Sequence, residues 1–554
     1  MNTAVQDAVK QLYDIDVEVV LTRPEPQFGE YSTNIALQLA GRLQRNPREV
    51  ASEIAERLKQ SEAFAQAEVA GPGFINLRVS DQALYALADA TARPLNEGVN
   101  YVIEYSCPNA FKELHTGHLY QTIFGDILAR MIERSGATVH RTSFGGDVGL
   151  HVAKCLWGMV AEFGGIDAAR LDAVESTPFE RAAWISTMYV KGAAAYENDS
   201  DAKAEIDQLN VTIYGFHATN DRDSALAKLY WTTRQWSFDY FDAFYDLVKV
   251  DHMRYYPESA TAPTGMGVVK EQLAKGRLKE SDGAVVFEGD ESKHLHTRVF
   301  VTSKGLPTYE TKDIGVIWQE KADYNFDKRI LITGNDQFEY MRVVFAAAET
   351  FRPELANTMT HLPHGTVRFG DGSKMSSRLG NVARAADVID SVREKVRELV
   401  KDESQVESVT LGAIKYVFAK YRIGGDISFD IEETVSLNGN SGPYLQYAHA
   451  RARSIMRKST VEAADDVTLD ESERSLLRKL SEYSEMTERA TRELMTHHIC
   501  NYLYELAQTF NRFYEKSHIV GDEREAVRLG LVRRYAATLA DGLSLLGIEA
   551  PEQL

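Results

Sequence analysis

Tyr101–Gly136 reads YVIEYSCPNAFKELHTGHLYQTIFGDILARMIERSG, and its three parts decide the fold. The first residues are apolar and aromatic at strand-like spacing, a loop with Pro108 follows, and Leu119, Ile123, Ile127, Leu128 and Met131 then return with helical period. This predicts a strand, a loop and a helix that Gly136 caps. Thr138–Ser143, TVHRTS, reads as the next strand, so the unit is βαβ with parallel pairing. Ligands bind at the loop end of such units. The loop ends in His115-Thr116-Gly117-His118, two imidazoles flanking a glycine where the helix begins. A helix N-terminus offers unpaired N–H groups and a positive partial charge, and Gly117 has no side chain to hold a ring or phosphate away, which suits a nucleoside triphosphate. Neither G-x-x-x-x-G-K-[ST] nor a clean G-x-G-x-x-G occurs in this stretch.

The 554 residues exceed the usual single-domain size, so three or more domains are expected. The three cysteines, Cys107, Cys155 and Cys500, are widely separated with no C-x-x-C pair, which argues against a disulfide framework or structural zinc and for a reducing cytoplasm. The opening MNTAVQDAVKQLYDID has no basic region followed by an apolar core, and no run of about eighteen apolar residues occurs, so neither secretion nor membrane insertion is expected. A net charge of -19 argues at face value against nucleic acid as a partner, although local distribution can override the total.

Far downstream, Gly372–Arg378 reads GSKMSSR. H-T-G-H and K-M-S-S, in this order and well separated, resemble the HIGH and KMSKS signatures of class I aminoacyl-tRNA synthetases, with Ser377 where the second lysine usually stands. The resemblance narrows to the arginyl branch. FGEYSTN at Phe28–Asn34 and GPGFINL at Gly71–Leu77 look like its N-terminal domain, which implies contact with the tRNA elbow. Glu104–His115 is similar to its E-x-x-S-x-N pattern followed by a lysine, implying that Glu104 and Asn109 hold the substrate α-amino group and that Lys112 assists ATP. Cys107 departs from the usual serine there. In RTSFGGDVGLHVA, Arg141–Ala153, the residues Gly146, Asp147 and Gly149 keep the motif that lines the nucleotide site, while Ser143, Phe144 and Val148 depart from it.

KGLPTYETKDI, Lys304–Ile314, spaces Tyr309 and Asp313 four apart, on one face if a helix begins after Pro307. A planar guanidinium needs a carboxylate and gains from an aromatic neighbour, and these two residues supply both. A strand at Arg329–Gly334 then delivers Gln337 at its carboxyl end. The resemblance implies that Tyr309, Asp313 and Gln337 hold the arginine side chain. Between about 160 and 255 the chain reads as a helical insertion whose aromatics are packing residues. Beyond about 390 long amphipathic helices dominate, and NGNSGPYLQYAHAR, Asn438–Arg451, resembles the opening of the family's anticodon-binding domain. Arg451, Arg453, Arg457 and Lys458 stand there without an acidic residue among interleaved aromatics, a pattern suited to unpaired bases. Tyr444, Gln446, Tyr447, Arg451 and Arg453 are the residues expected at the tRNA.

The expectation is a multidomain α/β protein: an N-terminal α+β domain over residues 1–96, a Rossmann-like parallel-sheet catalytic domain over 97–390, and an all-α helical bundle over 391–554. The resemblance implies that L-arginine attacks ATP to form arginyl-adenylate and that tRNA(Arg) takes the arginyl group at its 3′ end. Catalysis would rest on His115, His118, Lys112 and Lys374 aligning and stabilising the phosphates, with Mg²⁺ on the nucleotide and no metal ligand in the chain. Gly117, Gly146, Asp147, Met375 and Ser376 complete the expected ATP contacts. A cytoplasmic monomer that needs tRNA for activation and carries no editing domain is implied. The rivals are an adenylating enzyme that uses no tRNA, disfavoured by Tyr444–Lys458, and a non-catalytic RNA-binding paralogue, disfavoured by His115, His118, Tyr309 and Asp313.

Overall fold

A computed structural model describes residues 1–174, 176–370, 383–465 and 468–554. Among these, β1 (Asn100–Glu104), β2 (Thr138–Gly145), β3 (Arg254–Pro257), β4 (Lys328–Gly334) and β5 (Met359–His364) form a parallel sheet in the order β5-β4-β1-β2-β3. The chain runs outward from β1 to β3, then returns to the other side of β1 as β4. That reversal parts the loops at the carboxyl ends of β1 and β4 and leaves a crevice there. The register sets Glu104, the last residue of β1, beside Leu331 and Thr142.

The helix Thr116–Arg134 follows β1 and is buried over most of its length. It lies against the sheet on one side and against the helices Ala385–Leu399 and Glu403–Ala419 on the other, so its apolar residues cover more than one face. Contact is close at Gly125, where an added Cβ would lie 2.2 Å from the Tyr105 ring. Arg329 on β4 ties the sheet interior together: it pairs with Glu104 and with Glu320 at 2.6 Å, and Thr142 donates to Glu320 at 2.6 Å.

The insertion is helical, with helices Pro178–Asn198, Ser200–Thr219 and Ala225–Leu247. Its bounds differ from the expected 160 to 255. Leu150–Phe163 already packs in the same apolar cluster, and Arg254–Pro257 already belongs to the sheet as its edge strand. Phe111, in the loop after β1, stacks 5.9 Å from Tyr230, so the insertion props up the functional loop.

Near the N-terminus, strands Tyr31–Thr33, Phe64–Ala70 and Phe74–Val79 form an antiparallel sheet covered by helices Asn2–Tyr13, Ile35–Leu43 and Pro47–Leu58. The C-terminal helices Gly442–Lys458, Glu471–Leu480, His497–Lys516 and Glu525–Leu545 form a bundle around Leu445, Leu503, Phe510 and Leu539. The two ends of the chain meet: Arg474 donates to Glu30 and to the Val79 carbonyl, each at 2.8 Å, and Arg23 pairs with Glu485 at 2.9 Å. Among the described residues no helix is long and apolar enough to cross a membrane.

Candidate active site

The crevice at the strand ends holds two adjoining chambers. The larger, about 650 Å³, is lined by Glu104, Asn109, Lys112, Gly146, Tyr309, Asp313 and Gln337 among others. Tyr309 begins the helix Tyr309–Tyr324, which puts it and Asp313 one turn apart on the chamber wall. Asp313 is buried and accepts a hydrogen bond from the Tyr340 hydroxyl. Burial pushes its carboxyl up to about 7, with Tyr340 and the nearby Arg329 opposing the rise. No cation forms an ion pair with it among the described residues, whereas Glu258 on the same wall is matched by Lys312 at 2.8 Å and Glu104 by Arg329. Burial likewise raises Glu104, with Arg329 countering part of the shift. A buried carboxylate lacking a cation favours a cationic guest. Asn109 accepts from the Gly146 N–H at 3.0 Å and keeps its amide hydrogens and a second lone pair for a ligand.

The second chamber, about 530 Å³, is lined by His115, Gly117, His118, His364 and Phe369, and shares Cys107, Asn109, Asp336 and Gln337 with the first. His115 caps the helix. Its Nδ1 accepts from the Gly117 N–H at 3.0 Å, and the His118 Nδ1 accepts from the His115 N–H at 3.2 Å. Because each Nδ1 is an acceptor, each neutral ring carries its proton on Nε2. Burial lowers both rings below the ordinary histidine range, His118 strongly; His364 and Lys112 add to the shift in both, and His115 adds to it in His118. The pair therefore presents neutral N–H donors beside a helix N-terminus, a setting for phosphate oxygens.

Two expected contacts are corrected. Asp147 lines neither chamber: it is buried, paired with Arg234 at 2.7 Å and bonded to the Ser259 N–H and hydroxyl at 2.9 and 2.6 Å. It fastens the insertion to the return of the sheet. Gln446 is fully buried and donates to the carbonyls of Ser408 and Glu549, at 3.2 and 2.9 Å, so it faces the bundle and not a nucleic acid. On the same helix Tyr447 is exposed, Arg451 lies 4.4 Å over the Tyr514 ring, Tyr444 accepts from Asn511 at 2.9 Å, and Arg453 pairs with Glu552 at 2.8 Å. Lys374, Met375 and Ser376 lie outside the described residues. Lys112, at the first chamber, lies 4.4 Å over the Tyr189 ring of the insertion. Sequence reading missed Tyr340, His364, Glu258 and Lys312 as chamber residues; only the ligand-facing side of folded elements marks them, and no local motif does. Of the departures from the family pattern, Cys107, Phe144 and Val148 line the first chamber and Ser143 does not.

A parallel sheet with its crevice at the strand reversal, and with imidazoles at a helix N-terminus in that crevice, is a Rossmann-like nucleotide-binding unit, and its family match makes it a class I aminoacyl-tRNA synthetase catalytic unit. Residues 83–427 match the family model of the tRNA synthetases class I (R) catalytic domain, more than half of the chain. Residues 1–79 match the arginyl tRNA synthetase N terminal domain, and 445–554 the DALR anticodon binding domain. The chain belongs to the arginyl-tRNA synthetase family. An arginine–tRNA ligase of Thermobifida fusca is 33% identical, covering 95% of this chain and 94% of its own length. One from Porphyromonas gingivalis is 29% identical over 99% of this chain and 98% of the relative. The arginyl-tRNA synthetase structure of Thermus thermophilus superposes with a TM-score of 0.78 at 24% identity, covering 100% of this chain and 99% of that one, and shares the fold.

Proposed function

We propose that the two chambers divide the work of an arginine–tRNA ligase, the enzyme this chain is by its family and its similarity to arginine–tRNA ligases along nearly its whole length. The observation that carries the division is Asp313, a chamber carboxylate without a cation of its own, next to a second chamber of phosphate-donor character. The arginine guanidinium supplies the missing cation at Asp313, with Tyr309 beside it. The α-ammonium meets the carboxylate oxygen of Glu104 that Arg329 leaves open, together with Asn109. Gln337, which lines both chambers, lies where the arginine and the nucleotide meet.

ATP lies in the second chamber with its phosphates toward the Gly117 end of the helix. The arginine carboxylate then attacks the α-phosphorus, the bond to the bridging oxygen breaks, and pyrophosphate leaves. The Nε2–H donors of His115 and His118, with Lys112 and Lys374, stabilise the charge that gathers on the phosphates. They act as hydrogen-bond donors, and desolvation in the crevice disfavours their imidazolium forms, most strongly at His118. A hydroxyl of the tRNA terminal ribose next attacks the arginyl carbonyl and AMP departs. Magnesium belongs to the Mg–ATP substrate in this reading. The exposed Tyr447 and the half-buried Arg451, one turn apart on Gly442–Lys458, are the tRNA contacts of the helical bundle in this reading.

ATP–pyrophosphate exchange with each of the twenty amino acids, with and without bulk tRNA, tests the assignment. Arginine alone should support exchange, and only with tRNA present. A different amino acid supporting it would overturn the substrate, and no exchange with any would overturn the activity.

A further inference from the structure

We propose that Thr116 is a positioning residue that fastens the first signature stretch to Ala383, in the chain that follows the second. The inference rests on the ligase reading above. Thr116 stands at the second position of H-T-G-H, where the HIGH signature carries an isoleucine. Its hydroxyl is buried and donates to the carbonyl of Ala383 at 2.9 Å, and its backbone N–H donates to the same oxygen at 2.9 Å. The Ala385 N–H returns a bond to the Leu114 carbonyl at 2.9 Å, and His115 and Arg384 form an antiparallel bridge between these strands of backbone. Arg384 also reaches Glu113 at 3.4 Å.

Residues 114–116 and 383–385 are thus zipped together, and Thr116 and Ala383 both line the phosphate chamber. The consequence follows from the count of donors. Ala383's carbonyl has two, and both come from Thr116. Removing the hydroxyl leaves the N–H in place, so the carbonyl stays satisfied and the fold should hold. What is lost is one of the bonds that, with the Thr116 N–H, the Ala385 N–H to Leu114 and the Arg384–Glu113 contact, fix the spacing between the imidazole pair and residues 383–385. The arginine chamber is untouched, because neither Thr116 nor Ala383 lines it. An isoleucine at 116 could make no such bond.

Thr116→Val keeps the shape and removes the donor. In arginine-dependent exchange it should lower kcat by about tenfold, equivalent to about 1.4 kcal/mol of barrier, while the KM for arginine stays within about twofold. Thr116→Ser, which keeps the hydroxyl, should recover most of the loss. A valine variant with wild-type kcat overturns the inference, as does a serine variant no better than valine, or an arginine KM that rises as far as kcat falls. Should valine not be accommodated, Thr116→Ala is read by the same criteria. Wild-type protein without arginine-dependent exchange would remove the ligase reading itself, whereas normal wild-type exchange with an unaffected valine variant removes this inference alone.

Discussion

Replacing Asp313 by Asn changes one oxygen for an amide and removes a charge from the arginine chamber. Asn can still accept from the Tyr340 hydroxyl, and burial already holds the native carboxyl up at about 7, so the variant should fold. What it cannot do is pair with guanidinium. A hydrogen bond to a charged group contributes about 1.5–3 kcal/mol, which at about 1.4 kcal/mol per decade means a loss of about 10- to 150-fold in kcat/KM for arginine. The pH dependence gives a second, independent reading. Guanidinium binds the ionised carboxylate, so below about pH 7 binding must first expel the proton from Asp313. The Asp313 contribution to arginine affinity therefore rises with pH up to about 7 and flattens above it. The raised Glu104 adds slope of the same sign in both proteins, so the variant's profile should be shallower than the wild type's by up to one proton. The assay is exchange with saturating ATP and tRNA across pH 6 to 8.5, with thermal unfolding as a folding control. A variant within twofold of wild type in kcat/KM, or one with the same slope, would refute the assignment of Asp313 to the guanidinium.

Asp147→Asn should weaken the protein and spare the nucleotide: it loosens the bonds to Arg234 and Ser259, costing about 1–3 kcal/mol, and leaves the KM for ATP within about twofold. A raised KM for ATP with unchanged thermal stability would return Asp147 to the nucleotide site. On the helix Gly442–Lys458, Gln446→Ala should lower the melting temperature through its lost bonds to the Ser408 and Glu549 carbonyls, whereas Arg451→Ala should lower tRNA affinity without that loss. Equal effects of the two on tRNA binding at equal stability would contradict the division between an inward and an outward face.

Much of the architecture was readable before any coordinates, because periodicity is local. Period-two and period-3.6 patterns with their Gly and Pro punctuation suffice for β1, the helix after it, β2 and the helix at Tyr309, and the order of motifs suffices for the family. Short spacings carry local geometry as well: Tyr309 and Asp313, one helical turn apart, had to share a face. The failures have one cause. Asp147 and Gln446 sit inside good motifs, yet the direction each side chain takes depends on partners far away in sequence: Arg234 and Ser259 for one, Ser408 and Glu549 for the other.

The amino-acid sequence by itself determined the kind of protein, the order of its parts and the loops that carry chemistry, since those depend on residue types at short range. Only the tertiary structure decided which charges are already matched. Glu258 and Glu104 look as available as Asp313 in a line of letters, but Lys312 from a neighbouring helix and Arg329 from the adjacent strand reach them and leave Asp313 without an ion-pair partner among the described residues. Burial then sets what each group will bind, because desolvation and the distance to an opposite charge exist only once the chain is folded.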